Sequence, residues 1–228
     1  MLADLQPWFA AATTLLDVRR QDRLLVFSPG VDQARHLAAL VGSRGALTVV
    51  TADRTTAGHL AALELPQVRV LCHVLIGDER FGSHDAMLVA PPHGPLLPPG
   101  GYVDVLRANL RPGGRFVVDV PGPDMVPELR AAWQDAGWPR DRFAKLQGIP
   151  DDALVEALRN GGLREVHGVL GSHLLPALPA ADLVDAFAAA IGLTEAERLP
   201  LTHGLMRRCG TTGPAELLVH RTRLHGLR

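Results

Sequence analysis

The chain has 228 residues, 47% of them hydrophobic and 21% charged, enough apolar material for a full core and too little net charge for a disordered segment. Its 23 basic and 24 acidic side chains nearly cancel, which removes the global field expected of a protein built for nucleic acid or an anionic membrane. Cys72 and Cys209 are too far apart in sequence to read as a metal-binding pair, and every long charge-free stretch is interrupted by Pro or Gly. Asp4 stands where a secretory leader would carry basic residues. The expectation is one cytoplasmic domain over 1–228, with no metal, no nucleic acid and no membrane partner. The locally basic stretch 204–228, with Arg207, Arg208, Arg221, Arg223 and Arg228 against Glu216, reads as a solvated surface.

In chain order, residues 2–16 place Leu2, Leu5, Trp8, Phe9, Ala12, Leu15 and Leu16 at spacings of three and four, an amphipathic helix within an N-terminal segment 1–20. Residues 23–27 form a short apolar run bounded by Asp22 and Ser28-Pro29-Gly30, which predicts a buried strand. Asp32 suits the cap or first turn of a helix over 33–41, whose Ala34, Leu37, Ala38 and Val41 share a face, and Gly42 and Gly45 stop it. A second strand over 47–51 completes a right-handed βαβ unit. The alternation continues with a helix over 55–65, strands over 68–74 and 85–90, a Pro/Gly-rich loop 91–101, a helix over 102–110 and a strand over 115–120. Helices follow over 124–136 and 151–160, then a strand over 164–170. A helical insertion spanning 174–214, with helices near 180–190 and 194–208, precedes a last strand over 216–224. Continuous apolar strands alternating with helices predict an open, doubly wound α/β sheet.

In such a sheet ligands bind beyond the carboxyl ends of the strands, so the loops 27–32, 51–54, 72–82 and 90–101 are the candidate site. Gly30 lets a ligand approach the backbone, while Asp32 in the first helical turn occupies the place a phosphate would take. With neither a multiple-glycine fingerprint nor a Lys-Ser/Thr pair, dinucleotide and P-loop chemistry are disfavoured. Ser28-Pro29-Gly30 reads equally well as a plain strand-to-helix turn, and Asp53 as a helix cap. His73, His84 and His93 fall on loops expected to converge on the crevice, at spacings that match no common metal site. Trp133 and Trp138 are candidate walls of an acceptor pocket or ordinary core. No Gly-x-Ser-x-Gly elbow is present for a hydrolase.

Three passages carry a family resemblance. Residues 15–30, Leu-Leu-Asp-Val-Arg-Arg-Gln-Asp-Arg-Leu-Leu-Val-Phe-Ser-Pro-Gly, resemble the entry to the first strand and cofactor loop of class I S-adenosylmethionine-dependent methyltransferases. Phe81-Gly-Ser-His-Asp-Ala-Met-Leu-Val-Ala90 is similar to the family's fourth-strand motif, and Leu106-Arg-Ala-Asn-Leu-Arg-Pro-Gly-Gly-Arg-Phe-Val-Val118 to its passage into the fifth strand. The resemblance implies a Rossmann-like sheet of seven strands in the order 3-2-1-4-5-7-6, with only the last antiparallel. It implies S-adenosylmethionine as cofactor, or its demethylated product as ligand, at Phe27, Ser28, Gly30, Thr51 or Asp53, Cys72, His73 and Ala90. Val26, Ser28, Gly30 and Asp32 fall on the acidic and three glycine positions of the family's cofactor loop. The ribose-binding acid falls on Thr51 in the simplest alignment, with Asp53 two places beyond. His93, after the fourth strand, is the candidate general base toward a small-molecule acceptor. Two readings stay open: a methyltransferase of small molecules, or an inactive member serving as a binding or partner module. Self-association as a homodimer is left open as well.

Overall fold

The computed structural model describes residues 7–91, 97–143, 148–175, 177–210 and 213–228. Its sheet strands are β1 (Arg23–Phe27), β2 (Ala46–Thr51), β3 (Val68–Cys72), β4 (His84–Val89), β5 (Leu110–Pro121), β6 (Arg164–Leu174) and β9 (Leu218–Leu227), with β7 (Leu178–Pro179) and β8 (Pro214–Ala215) forming a separate small ribbon. The order across the sheet is β3-β2-β1-β4-β5-β9-β6. Pairings among β1 to β5 are parallel, and β9 is antiparallel to both β5 and β6. The seventh sheet strand in sequence thus inserts between the fifth and sixth, the expected topology.

Side chains alternate between the two faces of each strand, and that period sorts the core. Leu24, Val26, Leu47, Val49, Leu88 and Val117 meet α1 (Pro7–Leu16), α2 (Val31–Val41) and α3 (Arg54–Ala61) on one face. Leu25, Phe27, Val50, Met87, Val89, Phe116 and Val118 meet α4 (Pro99–Asn109) and α7 (Asp151–Asn160) on the other. Burial on both faces is why the central strands carry no polar alternation. A third cluster joins α5 (Pro127–Asp135), α8 (Ala180–Ile191) and α9 (Glu195–Cys209) around Leu129, Trp133, Phe187 and Leu205, with Trp8 of α1 and Phe143 of the one-turn helix α6 (Arg140–Phe143). Since α5 follows the carboxyl end of β5 and α8 that of β6, this cluster sits at the ligand-binding end of the sheet.

The connection from β3 to β4, residues 73–83, crosses without a helix. Buried Asn109 pins it from α4, donating to the carbonyls of Glu79 and Val105 at 2.8 Å each and accepting the Phe81 N–H at 2.5 Å.

Strand ends depart from the sequence reading where local geometry intervenes. β5 starts at Leu110, because the 111–114 segment bulges out of the ladder: the pairing jumps from His84↔Leu110 to Ala86↔Arg115, and Gly113 supplies the positive φ of 75°. The basic stretch 204–228 is not simply a solvated face. Arg221 is fully buried and Arg223 nearly so, because both lie on the face of β9 where Asp119 of β5 carries a fully buried carboxylate. Among the described residues, no helix is long and apolar enough to cross a membrane.

Candidate functional site

β1 ends at buried Phe27, and the chain turns through Ser28, which adopts a left-handed φ of 51° while its N–H still reaches Val50 O at 2.8 Å. Gly30 then caps α2 with an extended backbone, and its N–H is taken by Gln33 Oε1 at 2.8 Å. Asp32 is not the cap. It stands exposed in the first turn and pairs with Arg35 at 2.7 Å, so the helix terminus that faces the crevice already has its carboxylate.

β2 runs without a bulge to Thr51, which pairs with Cys72 of β3. Thr51 is buried, and its Oγ accepts the Asp53 N–H at 3.2 Å. Asp53 caps α3: Oδ1 accepts Thr55 N–H at 3.1 Å, while Oδ2 accepts Thr56 N–H at 3.0 Å and the Thr56 hydroxyl. The bond from the Thr56 hydroxyl, then the amides of Thr56 and Thr55, hold this carboxyl below the usual range. A carboxylate has about four lone-pair sites. The cap uses three of them, and the one left, on Oδ1, can accept a further hydroxyl.

At the end of β3, Cys72 is exposed and His73 half-exposed, with its backbone tied to Thr51 O at 2.9 Å. The His73 ring stands edge-on to Phe81 at 5.8 Å, and Phe81 edge-on to Phe27 at 5.9 Å. His73 Nε2 lies 3.4 Å from Glu79 Oε1. Burial raises the Glu79 carboxyl, but the amides of Gly77 and Ile76 outweigh it and leave the group below its ordinary value. Sequence reasoning missed Glu79; an acid shortly after Gly77 in a segment with no helical pattern was the available clue.

His84 does not converge on the crevice. It opens β4 at the amino end of the sheet, buried, with Nδ1 3.2 Å from Asn109 O and Nε2 3.3 Å from Thr48 Oγ. Burial pulls its pKa below the ordinary value, and its role is to seat the strand. Ala90 and Pro91 leave β4 at the crevice, both buried; His93 lies outside the described residues. Among the described residues, no group of three His, Cys, Asp or Glu side chains could hold a metal ion.

Beside the exit of β4 lies a charged and buried network. Arg221 Nε donates to Asp119 Oδ1 at 2.7 Å, and its Nη2 reaches Pro91 O and Asp119 O at 2.7 and 2.6 Å. Its guanidinium lies 4.7 Å from the Trp8 ring centre. Arg223 donates to Asp119 Oδ2 at 2.6 Å and to Trp8 O at 3.3 Å, and lies 3.2 Å from His173 Nε2. The carboxylate and its two guanidinium partners together tie β5, β9, the first turn of α1 and the exit of β4 to one another. The Trp8 indole N–H is buried with no hydrogen-bond partner among the described residues. Trp133 belongs to the core of the α5/α8/α9 cluster, stacked edge-on against Trp138 at 4.7 Å and covered by Arg142 at 5.1 Å.

No protein-family model matches the chain, and no curated protein matches it in sequence. Solved structures do match in fold. The YcgJ protein of Bacillus subtilis superposes with a TM-score of 0.64 at 13% identity, covering 96% of this chain and 97% of that one. A SAM-dependent methyltransferase from Aquifex aeolicus gives 0.51 at 15% identity over 73% and 83%. Aeropyrum pernix fibrillarin, solved with natively bound S-adenosyl-L-methionine, gives 0.52 at 14% over 96% and 74%. Strand order, the antiparallel β9 and these neighbours define the fold as that of the class I methyltransferases.

Proposed function

We propose that this chain binds S-adenosylmethionine at the carboxyl ends of β1, β2 and β3 and transfers its methyl group to a small molecule. The observation that carries the reading is that the Ser28–Gly30 turn, Thr51 with Asp53, and His73 follow the carboxyl ends of three adjacent strands in a sheet with this strand order. The residues present fit such a ligand. Gly30, at the turn into α2, brings only backbone to it, the spare lone pair of Asp53 can take a ribose hydroxyl, and His73 and Phe81 offer ring surface to an adenine. When bound, the cofactor supplies a methyl group on a cationic sulfur, so the chain's own work is to align donor and acceptor and exclude water. On the acceptor side, the buried Trp8 N–H is a donor with no partner among the described residues, and His93 is the candidate base beyond Pro91. The α5/α8/α9 cluster stands over that end of the sheet, which favours an acceptor small enough to fit beneath it.

The test is incubation with methyl-labelled S-adenosylmethionine and a cell extract, followed by fractionation. Label in the small-molecule fraction is expected. Label confined to protein or nucleic acid would overturn the acceptor class.

A further inference from the structure

The outer edge of β6 has the makings of an interface. β6 lies beyond β9 as the last strand of the sheet, and its ladder with β9 decides where each main-chain group points. Leu175, next in the chain, donates its N–H to Leu217 O at 2.9 Å. Odd-numbered residues therefore turn N–H and C=O toward β9, and even-numbered residues turn them outward. The outward set is Val166, Gly168, Leu170, Ser172 and Leu174. Arg159 from α7 already occupies Val166 O at 2.8 Å. The other four present unpaired backbone at the edge among the described residues.

Edge strands in soluble proteins are blunted by charge, proline, a bulge or short length. β6 has its bulge only at the amino end, between Arg164 and His167. From 168 to 174 it carries no Lys, Arg, Asp, Glu or Pro, and Val169, Leu170 and Leu174 are 57%, 55% and 54% exposed on its two faces.

We propose that this edge pairs antiparallel with the same edge of a second copy, about a two-fold axis through Gly171, joining two sheets into one. A two-fold axis normal to the sheet pairs residues of equal parity. Centring on Gly171 sets Gly168 against the partner's Leu174 and Leu170 against the partner's Ser172, which consumes all four outward residues. Shifting the axis to residue 170 would draw in Val166, whose carbonyl Arg159 holds. Shifting it to residue 172 would leave Gly168 unpaired. Side chains agree with the Gly171 register: each leucine lies opposite glycine or serine, and no like charges meet across the window. Seven residues a side with three exposed apolar side chains should bury roughly 1,000 Å², the low end for a specific interface. A reversible dimer follows, with a dissociation constant on the order of 1–100 µM.

Two measurements test this in the full chain. Sedimentation velocity should show a concentration-dependent dimer, which Leu170→Lys with Leu174→Lys reduces to monomer at unchanged circular dichroism. In a Cys72→Ser, Cys209→Ser background, Gly171→Cys should form a disulfide-linked dimer on mild oxidation. The nearest atoms to its Cβ are His173 Nε2 at 3.1 Å, which the His173 ring must relieve by a few tenths of an ångström, and the Arg221 carbonyl oxygen and His173 Cδ2 at 3.8 Å, and opposed residues of a non-hydrogen-bonded pair lie ~4.5 Å apart. A monomer at millimolar concentration would overturn the proposal and leave the edge to an extended segment of another protein. Preferential cross-linking of Val169→Cys would overturn the register, and a dimer surviving the double lysine variant would place the interface elsewhere.

Discussion

Asp53 has two tasks in this account, and single substitutions separate them. Serine retains a side-chain oxygen for the α3 amides but cannot offer an ionised acceptor. Asp53→Ser should therefore keep the melting temperature within a few degrees, yet weaken S-adenosylmethionine about 10- to 100-fold, the worth of one charge-assisted bond at ~1.5–3 kcal/mol. Asp53→Ala should lose the same affinity and ~1 kcal/mol of stability besides. Calorimetric titration and thermal melts of both variants measure the two effects. If Thr51→Ala weakens binding more than either, the ribose contact belongs to the strand end. The sequence left Thr51 and Asp53 as alternatives because spacing alone cannot tell a strand-end residue from a cap two places on. The ladder between Thr51 and Cys72 and the three bonds received by Asp53 supply what spacing lacks.

Between elements, two ionic contacts make contrasting predictions. Glu197 joins α9 to α6: it pairs with Arg142 at 2.5 Å and takes the N–H and hydroxyl of Thr194 in a capping box. The Arg142 bond first, then those from Thr194, lower its pKa to about 2 from 4.5. A depressed carboxyl stabilises the fold fully above its unfolded value and loses that contribution as pH falls through the folded one. The melting-temperature gap between the parent and Glu197→Gln should hold from pH 7 to about pH 5 and close between 4.5 and about 2. A gap independent of pH would refute the assignment.

Asp119 is different because it is buried beneath two guanidinium groups. Removing it leaves both buried without that carboxylate, so Asp119→Ala should cost about 3–5 kcal/mol, or roughly 6–20 °C in a chain of this size. A melt within two degrees of the parent would show that the network adds nothing. This network was partly legible in advance. An aspartate inside the apolar run Phe116-Val-Val-Asp-Val120 demands a partner, and Arg221 and Arg223 at period two share a face of their strand. What the sequence could not supply was the pairing of β5 with β9 across about a hundred residues, and a basic run was read as solvated for want of it.

For the whole molecule, topology was the most legible property. Strands buried on both faces are continuous apolar runs, so the central β1, β2 and β4 stand within a residue of their expected bounds. The edge strand β6 runs to Leu174 rather than 170, and its neighbour β9 lies at Leu218–Leu227 rather than 216–224, since their outer residues carry the mixed pattern of partial exposure. Side-chain positions at the crevice were less legible. His84 went to the wrong end of the sheet because the loop before β4 is a helix-free crossover, and a histidine at a strand start can lie at either end of such a path. Glu79 stayed hidden for the same reason, since its contact with His73 exists only once residues 73–83 fold back on themselves.

The central claim is that a crevice with Thr51 at the strand end and a shared Asp53 still holds the cofactor. Calorimetric titration of the purified chain with S-adenosylmethionine and S-adenosylhomocysteine tests it directly. Losing one charge-assisted bond relative to a fully equipped site predicts saturable binding with a dissociation constant on the order of 10 µM to 1 mM. Gly30 has φ of −70°, which any residue adopts, so Gly30→Val should abolish the heat by blocking approach without straining the backbone. Heat that saturates in the parent and vanishes in Gly30→Val is the predicted result; no heat from the parent at millimolar ligand, or equal binding by both proteins, would contradict it.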